Sequence, residues 1–182
     1  MIADIESPRL LLRHLDPRVL RYCLAGDLTA AAELLGTPPA AAWLDEQALM
    51  ALRLDDITQD PAYAPWSVRA LLRREDRVMV GHANFHSLPG HPYLGAYGDV
   101  ELGYTIYPDF RRQGYAREAV LALGGWAAQA GATRLVLSIA PDNLPSQALA
   151  AGLGFAKVGQ SADEEGVEDI LSACWPLKDA RS

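Results

Sequence analysis

The chain has 182 residues and a mass of 19.7 kDa, a length typical of one globular domain. Half of the residues are apolar and 21% are charged, which excludes disorder over the bulk of the chain. The chain has 16 lysines and arginines and 23 aspartates and glutamates, and the resulting net charge of −7 argues against binding nucleic acid through its phosphates. An acidic surface instead favours cationic partners, such as amines or basic peptides.

Patterns for export, membrane insertion and metal binding are not found in the sequence. No apolar run approaches the ~20 residues that cross a membrane, and Met1–Arg13 shows no apolar core of a signal peptide. We therefore expect a cytoplasmic protein that does not bind a membrane. Cys23 and Cys174 lie far apart, without the spacing of metal ligands, so no metal site is predicted.

The first half of the chain predicts a strand, two helices and a hairpin. The strand covers Arg9–Arg13, and a helix follows over Pro17–Ala25 because an Asp-Pro pair is a typical helix start. Apolar residues at helical spacing predict a second helix from Thr37 to Thr58. Two runs with strand character, Trp66–Arg73 and Val78–His86, are joined by a charged turn and form the hairpin.

The second half predicts a loop and then four strands, with one helix before and one helix after the second of these strands. Glycines and prolines mark Ser87–Gly98 as the loop. The predicted strands are Val100–Tyr107, Leu135–Ala140, Phe155–Val158 and Asp169–Trp175, the last two joined by an acidic turn at Asp163–Glu165. The predicted helices are Tyr115–Ala130 and Leu144–Gly152.

The turn between the strand that ends at Tyr107 and the helix that begins at Tyr115 is the first candidate site. It contains Arg111, Arg112 and Gly114. The first amides of a helix lack intrahelical partners and carry partial positive charge, a glycine lets an anion approach the backbone, and arginines add charge. The segment is neither a P-loop nor a dinucleotide-binding fingerprint. The alternative is a solvated, arginine-rich loop that caps a helix.

Four segments, which follow one another along the chain in the order found in the family, resemble the GNAT superfamily of acyl-CoA-dependent N-acetyltransferases. Arg111–Ala116 fits the Arg/Gln-x-x-Gly-x-Gly/Ala motif, and Val100–Pro108 is similar to the strand that leads into it. Asn143–Phe155 is similar to the Asn-x-x-Ser…Gly-Phe segment of the family. The opening Pro8–Arg13 resembles the branch that acetylates the N-termini of ribosomal proteins. The chain is therefore identified as a member of this superfamily.

The resemblance implies a single domain over residues 1–182 with an α+β, three-layer fold. Its mixed, mostly antiparallel sheet should have six or seven strands, splay after Ile106 and be flanked by helices. It also implies acetyl-CoA as co-substrate, with its pyrophosphate bound by the turn and with Arg111 anchoring the loop. The end of the strand would then pair with pantetheine and polarise the thioester. Asn143 would contact the cofactor or simply cap its helix. The residues assigned to acetyl-CoA are Tyr104, Thr105, Ile106, Arg111, Arg112, Gln113, Gly114, Tyr115, Ala116, Arg117 and Asn143.

Acyl transfer to an amine needs a base for the amine and a proton for the departing thiolate. Glu101 is the predicted base, because it is a charged residue in a largely apolar strand and burial should raise its pKa; the alternative is an exposed strand carboxylate. Ala150 occupies the position where many family members carry a tyrosine acid, which leaves Ser146 as the available hydroxyl. Ser146 is otherwise an ordinary residue of a first helical turn.

His86 opens the flexible loop and is the predicted acceptor-binding residue, unless it simply points at solvent. The leading hypothesis is an acetyl-CoA-dependent N-acetyltransferase that works as a monomer or homodimer without nucleic acid. The acceptor class stays open among a protein N-terminus, an amino acid, a polyamine and an aminoglycoside. The alternatives are a catalytically silent acyl-CoA sensor on the same fold and a structural dimerisation domain.

Overall fold

The computed structural model describes residues 2–95, 97–163 and 166–178, without the side chain of Asp163. The strands are β1 (Ile5–Glu6), β2 (Leu10–His14), β3 (Arg69–Arg73), β4 (Met79–Phe85), β5 (Val100–Ile106), β6 (Arg134–Ile139), β7 (Ala156–Asp163) and β8 (Gly166–Cys174). The α-helices are α1 (Pro17–Ala25), α2 (Leu28–Leu35), α3 (Ala41–Leu44), α4 (Gln47–Gln59), α5 (Tyr115–Gln129) and α6 (Leu144–Gly152). The strands form a mixed, mostly antiparallel sheet in the order β1-β2-β3-β4-β5-β6-β8-β7.

The predicted α+β fold is confirmed, with one strand more than the six or seven expected. The extra strand is β1, whose Ile5 and Glu6 pair antiparallel with Leu12 and Leu11. Two residues are too short to show an alternating pattern, so the sequence carries no periodic signal for this strand. The acidic turn expected at Asp163–Glu165 lies partly outside the described residues.

The helices match the predictions at α1, α5 and α6 and differ in between. The expected helix from Thr37 to Thr58 is two helices, α3 and α4, separated at Asp45 and Glu46. Helix α2 was not predicted, although Asp27 caps its N-terminus and Gly36 ends it in the left-handed conformation. Its eight residues give too short a window for helical periodicity to stand out.

The chain divides into two compact units, and the first covers residues 1–84 and 104–119. It contains β1 to β4, the C-terminal part of β5, α1 to α4 and the start of α5. Strand β2 pairs antiparallel with β3, which pairs antiparallel with β4. The core of this unit includes Leu20, Trp43 and Leu72, all fully buried. Tyr107, directly after β5, belongs to this core, and Phe110 of the turn packs against it.

The second unit covers residues 85–103 and 120–182. Strand β5 pairs parallel with β6 through Val100 with Leu135 and Glu101 with Val136. Strand β6 pairs antiparallel with β8 along its whole length, and β8 pairs with β7. Leu94, Val136 and Ile170 form an apolar cluster in this unit. Within this unit the described parallel register includes only the first two residues of β5, in agreement with a splayed sheet.

Candidate functional site

The turn after β5 lies at the surface of the first unit. Arg112 and Gly114 have positive φ angles, of 61° and 83°. Gly114 tolerates this conformation without cost, whereas Arg112 is a non-glycine residue in the left-handed region. Residues 111–114 are exposed, and α5 begins directly after them at Tyr115. Successive amides at a helix start with a left-handed residue beside them form a concavity that suits an anion.

Side chains hold this turn in place from two directions. The Arg111 Nε donates to the Ile106 carbonyl at 2.9 Å and ties the turn to the end of β5. The Arg9 Nη1 donates to the Gln113 carbonyl at 2.9 Å, and its guanidinium lies 4.7 Å from the centre of the Tyr115 ring. The turn is therefore fixed before any ligand arrives, which lowers the entropy that binding must remove.

Glu118 completes this arrangement from the first turn of α5. Its carboxylate accepts hydrogen bonds from the Ser7 hydroxyl at 2.7 Å, the Arg9 backbone at 2.6 Å and the Arg9 Nε at 2.7 Å. Burial favours the protonated form, but the bonds from Ser7 and Arg9 hold the pKa of Glu118 below its ordinary value. Glu118 is thus an ionised carboxylate that fixes Arg9 beside the turn.

The end of β5 presents its backbone groups to alternate edges. The Tyr107 amide donates to the Val80 carbonyl of β4 at 2.9 Å. The Thr105 carbonyl also faces β4, because a Cβ added to Gly81 would lie 2.1 Å from it. Since backbone groups of successive residues alternate between the two edges of a strand, those of Tyr104 and Ile106 face away from β4. The Ile106 carbonyl is the one that accepts from Arg111, so the backbone of Tyr104 is the better placed to pair with a ligand.

In the second unit, Glu101 is the centre of a hydrogen-bond network. The residue is 6% exposed, and His86 and Tyr93 are among the side chains that contact its carboxylate. The Tyr93 hydroxyl donates to Oε2 at 2.8 Å, and the His86 Nδ1 lies 3.4 Å from Oε1. The His86 backbone amide donates to the Glu101 carbonyl at 2.9 Å, so the two residues lie opposite each other on neighbouring strands. The expected burial of Glu101 is therefore confirmed, and the alternative of an exposed strand carboxylate is wrong.

The expected upward shift of the Glu101 pKa is also wrong. Burial is the largest single influence and raises this pKa, but the hydrogen bond and charge of His86, with hydrogen bonds from Ser138 and Tyr93, together lower it below the ordinary value. Hydrogen bonds to the ionised form outweigh desolvation here. Glu101 is thus an ionised carboxylate, buried among groups that stabilise its charge.

The start of α6, also in the second unit, holds the remaining predicted residues. The Asn143 side chain accepts from the Ser146 amide at 3.3 Å and caps the helix. Asn143 is exposed, Ser146 is half-buried and Ala150 is fully buried. Gln147 holds this helix start against β6 by donating to the Ile139 carbonyl at 3.2 Å. The capping role of Asn143 is therefore present.

Comparison with known proteins places this arrangement in a family. Residues 9–156 match the family model of the acetyltransferase (GNAT) domain. The chain belongs to the GNAT acetyltransferase family. Among curated proteins, the acetyltransferase domain is 25% identical over 164 residues to the uncharacterized N-acetyltransferase YoaA of Bacillus subtilis (strain 168), covering 87% of this chain and 86% of YoaA.

Solved structures of similar proteins share the fold, among them a ribosomal-protein acetyltransferase. The ribosomal-protein-S5-alanine acetyltransferase of Vibrio fischeri is 15% identical, with a TM-score of 0.63 over 99% of this chain and 100% of the other. RimJ of Mycobacterium smegmatis, in complex with CoA-disulfide, is 17% identical, with a TM-score of 0.63 over 96% and 88% of the two chains. At these identities the likeness shows a common GNAT fold.

The GNAT domain also contains contacts that sequence reasoning missed. Arg9 and Glu118 were not predicted at the turn, and Tyr93 and Ser138 were not predicted beside Glu101. Gly103 is the one available signal, because glycine inside a strand often marks a close approach; a Cβ there would lie 2.7 Å from the His86 Nε2. Within residues 2–95, 97–163 and 166–178, no group of three or more His, Cys, Asp or Glu could hold a metal ion. None of the helices in that part of the chain is long and apolar enough to span a bilayer.

Proposed function

We propose that this GNAT domain is an acetyl-CoA-dependent N-acetyltransferase that moves an acetyl group directly to a primary amine. The observation that carries the proposal is the buried, ionised Glu101 with its partners His86 and Tyr93. A protein that only binds acyl-CoA has no need for a carboxylate held there, whereas amine acylation needs a proton acceptor. Because the family match includes residues of both compact units, we infer that they act as one domain over residues 1–182.

The residues of the turn fit the pyrophosphate of acetyl-CoA. A glycine with positive φ, exposed amides and nearby arginines offer hydrogen-bond donors and positive charge without a side chain in the way. We propose that the amides of Gln113–Ala116 bind the phosphates, with charge from Arg112 and Arg117 and with Arg111 as the anchor. We further propose that the Tyr104 backbone pairs with pantetheine and that Asn143 contacts the cofactor arm.

The chemistry requires an uncharged amine, a polarised carbonyl and a protonated leaving group. Acetyl-CoA supplies an activated acetyl group as a thioester. We propose that the Glu101 carboxylate provides the general-base assistance with which a proton leaves the ammonium form of the acceptor. The Ser146 hydroxyl, half-buried on the first turn of α6, is the proposed proton donor to the thiolate. Ala150 is fully buried and has no ionisable group, so it takes no part in this step.

The acceptor is proposed to be a cationic amine, either a peptide N-terminus or a small molecule. The net charge of −7 favours encounter with cations through the field of the whole protein. We propose no role for nucleic acid, and the working form as a monomer or homodimer.

The test is an acceptor panel with acetyl-CoA, in which thiol release and acetylated product are both followed. The panel contains peptides with different N-terminal residues, amino acids, polyamines and aminoglycosides. The proposal expects one acceptor class to give product in a one-to-one ratio with thiol. Tight acetyl-CoA binding with no product from any amine would contradict it and favour the acyl-CoA sensor.

A further inference from the structure

We propose that His86 is the catalytic residue that takes the proton from the acceptor amine at its Nε2, and that Glu101 and Tyr93 are the positioning residues behind it. The proposal rests on the proposed function and names the atom that receives the proton. In this relay the Tyr93 hydroxyl holds one oxygen of Glu101, and the other oxygen holds the His86 Nδ1. The arrangement uses Glu101 as the anion that orients an imidazole, as in catalytic triads of other folds.

Exposure separates the roles of the two residues. The His86 side chain is 40% exposed, whereas the Glu101 side chain is 8% exposed. A general base must come within hydrogen-bond distance of the proton that it removes. The exposed imidazole can meet an amine from solvent, and the buried carboxylate reaches it through the imidazole. Both oxygens of Glu101 already have partners, which further reduces its value as a direct acceptor.

Geometry fixes the imidazole over β5. The hydrogen bond between the His86 amide and the Glu101 carbonyl pairs the two residues, so their side chains lie on the same face of the sheet. The Nε2 lies above Gly103, so close that an added Cβ would be 2.7 Å away. Gly103 immediately precedes Tyr104, whose backbone we propose to pair with pantetheine. The absence of a side chain at Gly103 is therefore what allows the imidazole to lie there.

The hydrogen bond to Glu101 also sets the tautomer. With the Nδ1 proton directed at Oε1, the lone pair of the neutral ring is on Nε2. When Nε2 gains a proton, the imidazolium lies beside a carboxylate, and their attraction stabilises it. The groups that the described contacts place around Glu101 are His86 from the end of β4, Tyr93 from the loop and Ser138 from β6.

The proposed step balances as follows. One ammonium proton moves to Nε2 of His86, and the freed lone pair forms a C–N bond to the thioester carbonyl carbon. The C–S bond then breaks with its electron pair on sulfur, the Ser146 hydroxyl gives its proton to the thiolate, and the remaining surplus proton of the nitrogen restores that hydroxyl. His86 returns its proton to solvent, so the products are the acetylated amine, free CoA and one proton.

The experiment compares kcat, KM and acetyl-CoA affinity in His86→Ala, Glu101→Gln and the double variant, with the best amine from the panel. We expect His86→Ala to lower kcat by ~10²–10⁴ with unchanged acetyl-CoA affinity. The kcat of the double variant should lie within about threefold of that of the slower single variant, because the effects of two residues that act as one unit do not multiply. The acid limb of the pH profile, which belongs to the coupled pair, should also move in His86→Ala.

Gly103→Ala provides a second variant that keeps His86 itself. The added methyl group should displace the imidazole from Glu101 and lower kcat at least about tenfold, with Gly152→Ala as the glycine control in open space. Wild-type kcat in His86→Ala, or losses in the two single variants that multiply in the double variant, would overturn the relay and leave the acetyltransferase proposal standing. A wild-type protein that acetylates no amine would overturn both.

Discussion

Glu118 binds Arg9 twice, through the Arg9 backbone amide at 2.6 Å and through its Nε at 2.7 Å. The two residues are 109 positions apart in the chain, and they connect the first turn of α5 to the start of β2. Because the same guanidinium binds the Gln113 carbonyl, the pair controls the shape of the proposed anion-binding turn. Arg9 and Glu118 are therefore positioning residues for the cofactor site, without a proposed contact to the reacting atoms.

Replacing Arg9 should weaken acetyl-CoA binding while the chemical step stays intact. Arg9→Ala removes the bond to Gln113 and the partner of Glu118, so we expect the KM for acetyl-CoA to rise about tenfold, equivalent to about 1.4 kcal/mol. The kcat at saturating acetyl-CoA should change less than about twofold. Arg18→Ala, which removes an exposed ion pair with Asp16 on α1, is the matched control. A lowered kcat with unchanged KM would contradict this role.

Gly114→Asp should disrupt the phosphate site directly. It places a negative side chain at the turn in a conformation that aspartate adopts with strain, so acetyl-CoA affinity should fall by one or more orders of magnitude. Gly26→Asp is the control. Like Gly114, Gly26 has a positive φ, of 76°, and an added Cβ would meet nothing within 4 Å, but Gly26 lies at the end of α1 and not at the proposed phosphate site. Calorimetry that finds equal acetyl-CoA affinity in folded Gly114→Asp and wild type would refute the placement of the phosphates.

Tyr93→Phe should change the pH dependence of catalysis more than its maximal rate. The hydroxyl donates to Glu101 and stabilises its ionised form, so its loss should raise the pKa of Glu101. The acid limb of kcat/KM should therefore shift to higher pH, with Tyr97→Phe in the same loop as the control. An acid limb that is identical in Tyr93→Phe and wild type would show that the hydroxyl does not support the carboxylate.

Buried His82 should make the fold sensitive to acid. It is 4% exposed, packs 5.1 Å from the Trp43 ring, and burial lowers its pKa from 6.5 to about 4. Between these values the unfolded chain binds the proton and the folded chain does not, so stability falls as the pH drops. From pH 7.5 to 4.5 this histidine alone should remove about 2–3 kcal/mol.

The check is urea unfolding of His82→Gln at both pH values. His82→Gln should reduce the difference in unfolding free energy between pH 7.5 and 4.5 by that amount, whatever its stability at neutral pH. Exposed His91 supplies the control variant, His91→Gln, whose pH difference should equal that of wild type. A His82→Gln protein with the full wild-type difference would mean that the burial of His82 does not govern acid stability.

Much of the fold could be predicted from the sequence because its signals are local. The Asp16-Pro17 start of α1, the strand β5 and the helix α5 all appear where predicted. The split between α3 and α4 could not be predicted in the same way, since the apolar spacing continues through Asp45 and Glu46 without a glycine or proline to mark a break.

The candidate site was only partly predictable, because its decisive contacts join distant segments. Glu101 is notable in the sequence as a charge in an apolar strand, but its pKa depends on His86, Tyr93 and Ser138, which come from three other segments. Desolvation can be expected from a strand pattern, whereas hydrogen bonds that reverse its effect require the folded arrangement. Arg9 is visible only as part of a family resemblance, and its contact with Glu118 has no local signal.

The most direct test of the central claim is the rate of acetyl transfer to the best amine by Glu101→Gln. The substitution keeps the shape of the side chain and removes its charge, whether Glu101 acts directly or through His86. The account predicts that kcat falls by ~10²–10⁴ while acetyl-CoA affinity, measured by calorimetry, stays within about twofold of wild type. Glu75→Gln, on the exposed turn between β3 and β4, should leave both unchanged. Wild-type kcat in Glu101→Gln, or a loss explained by weaker acetyl-CoA binding, would contradict the claim that this carboxylate serves the proton transfer.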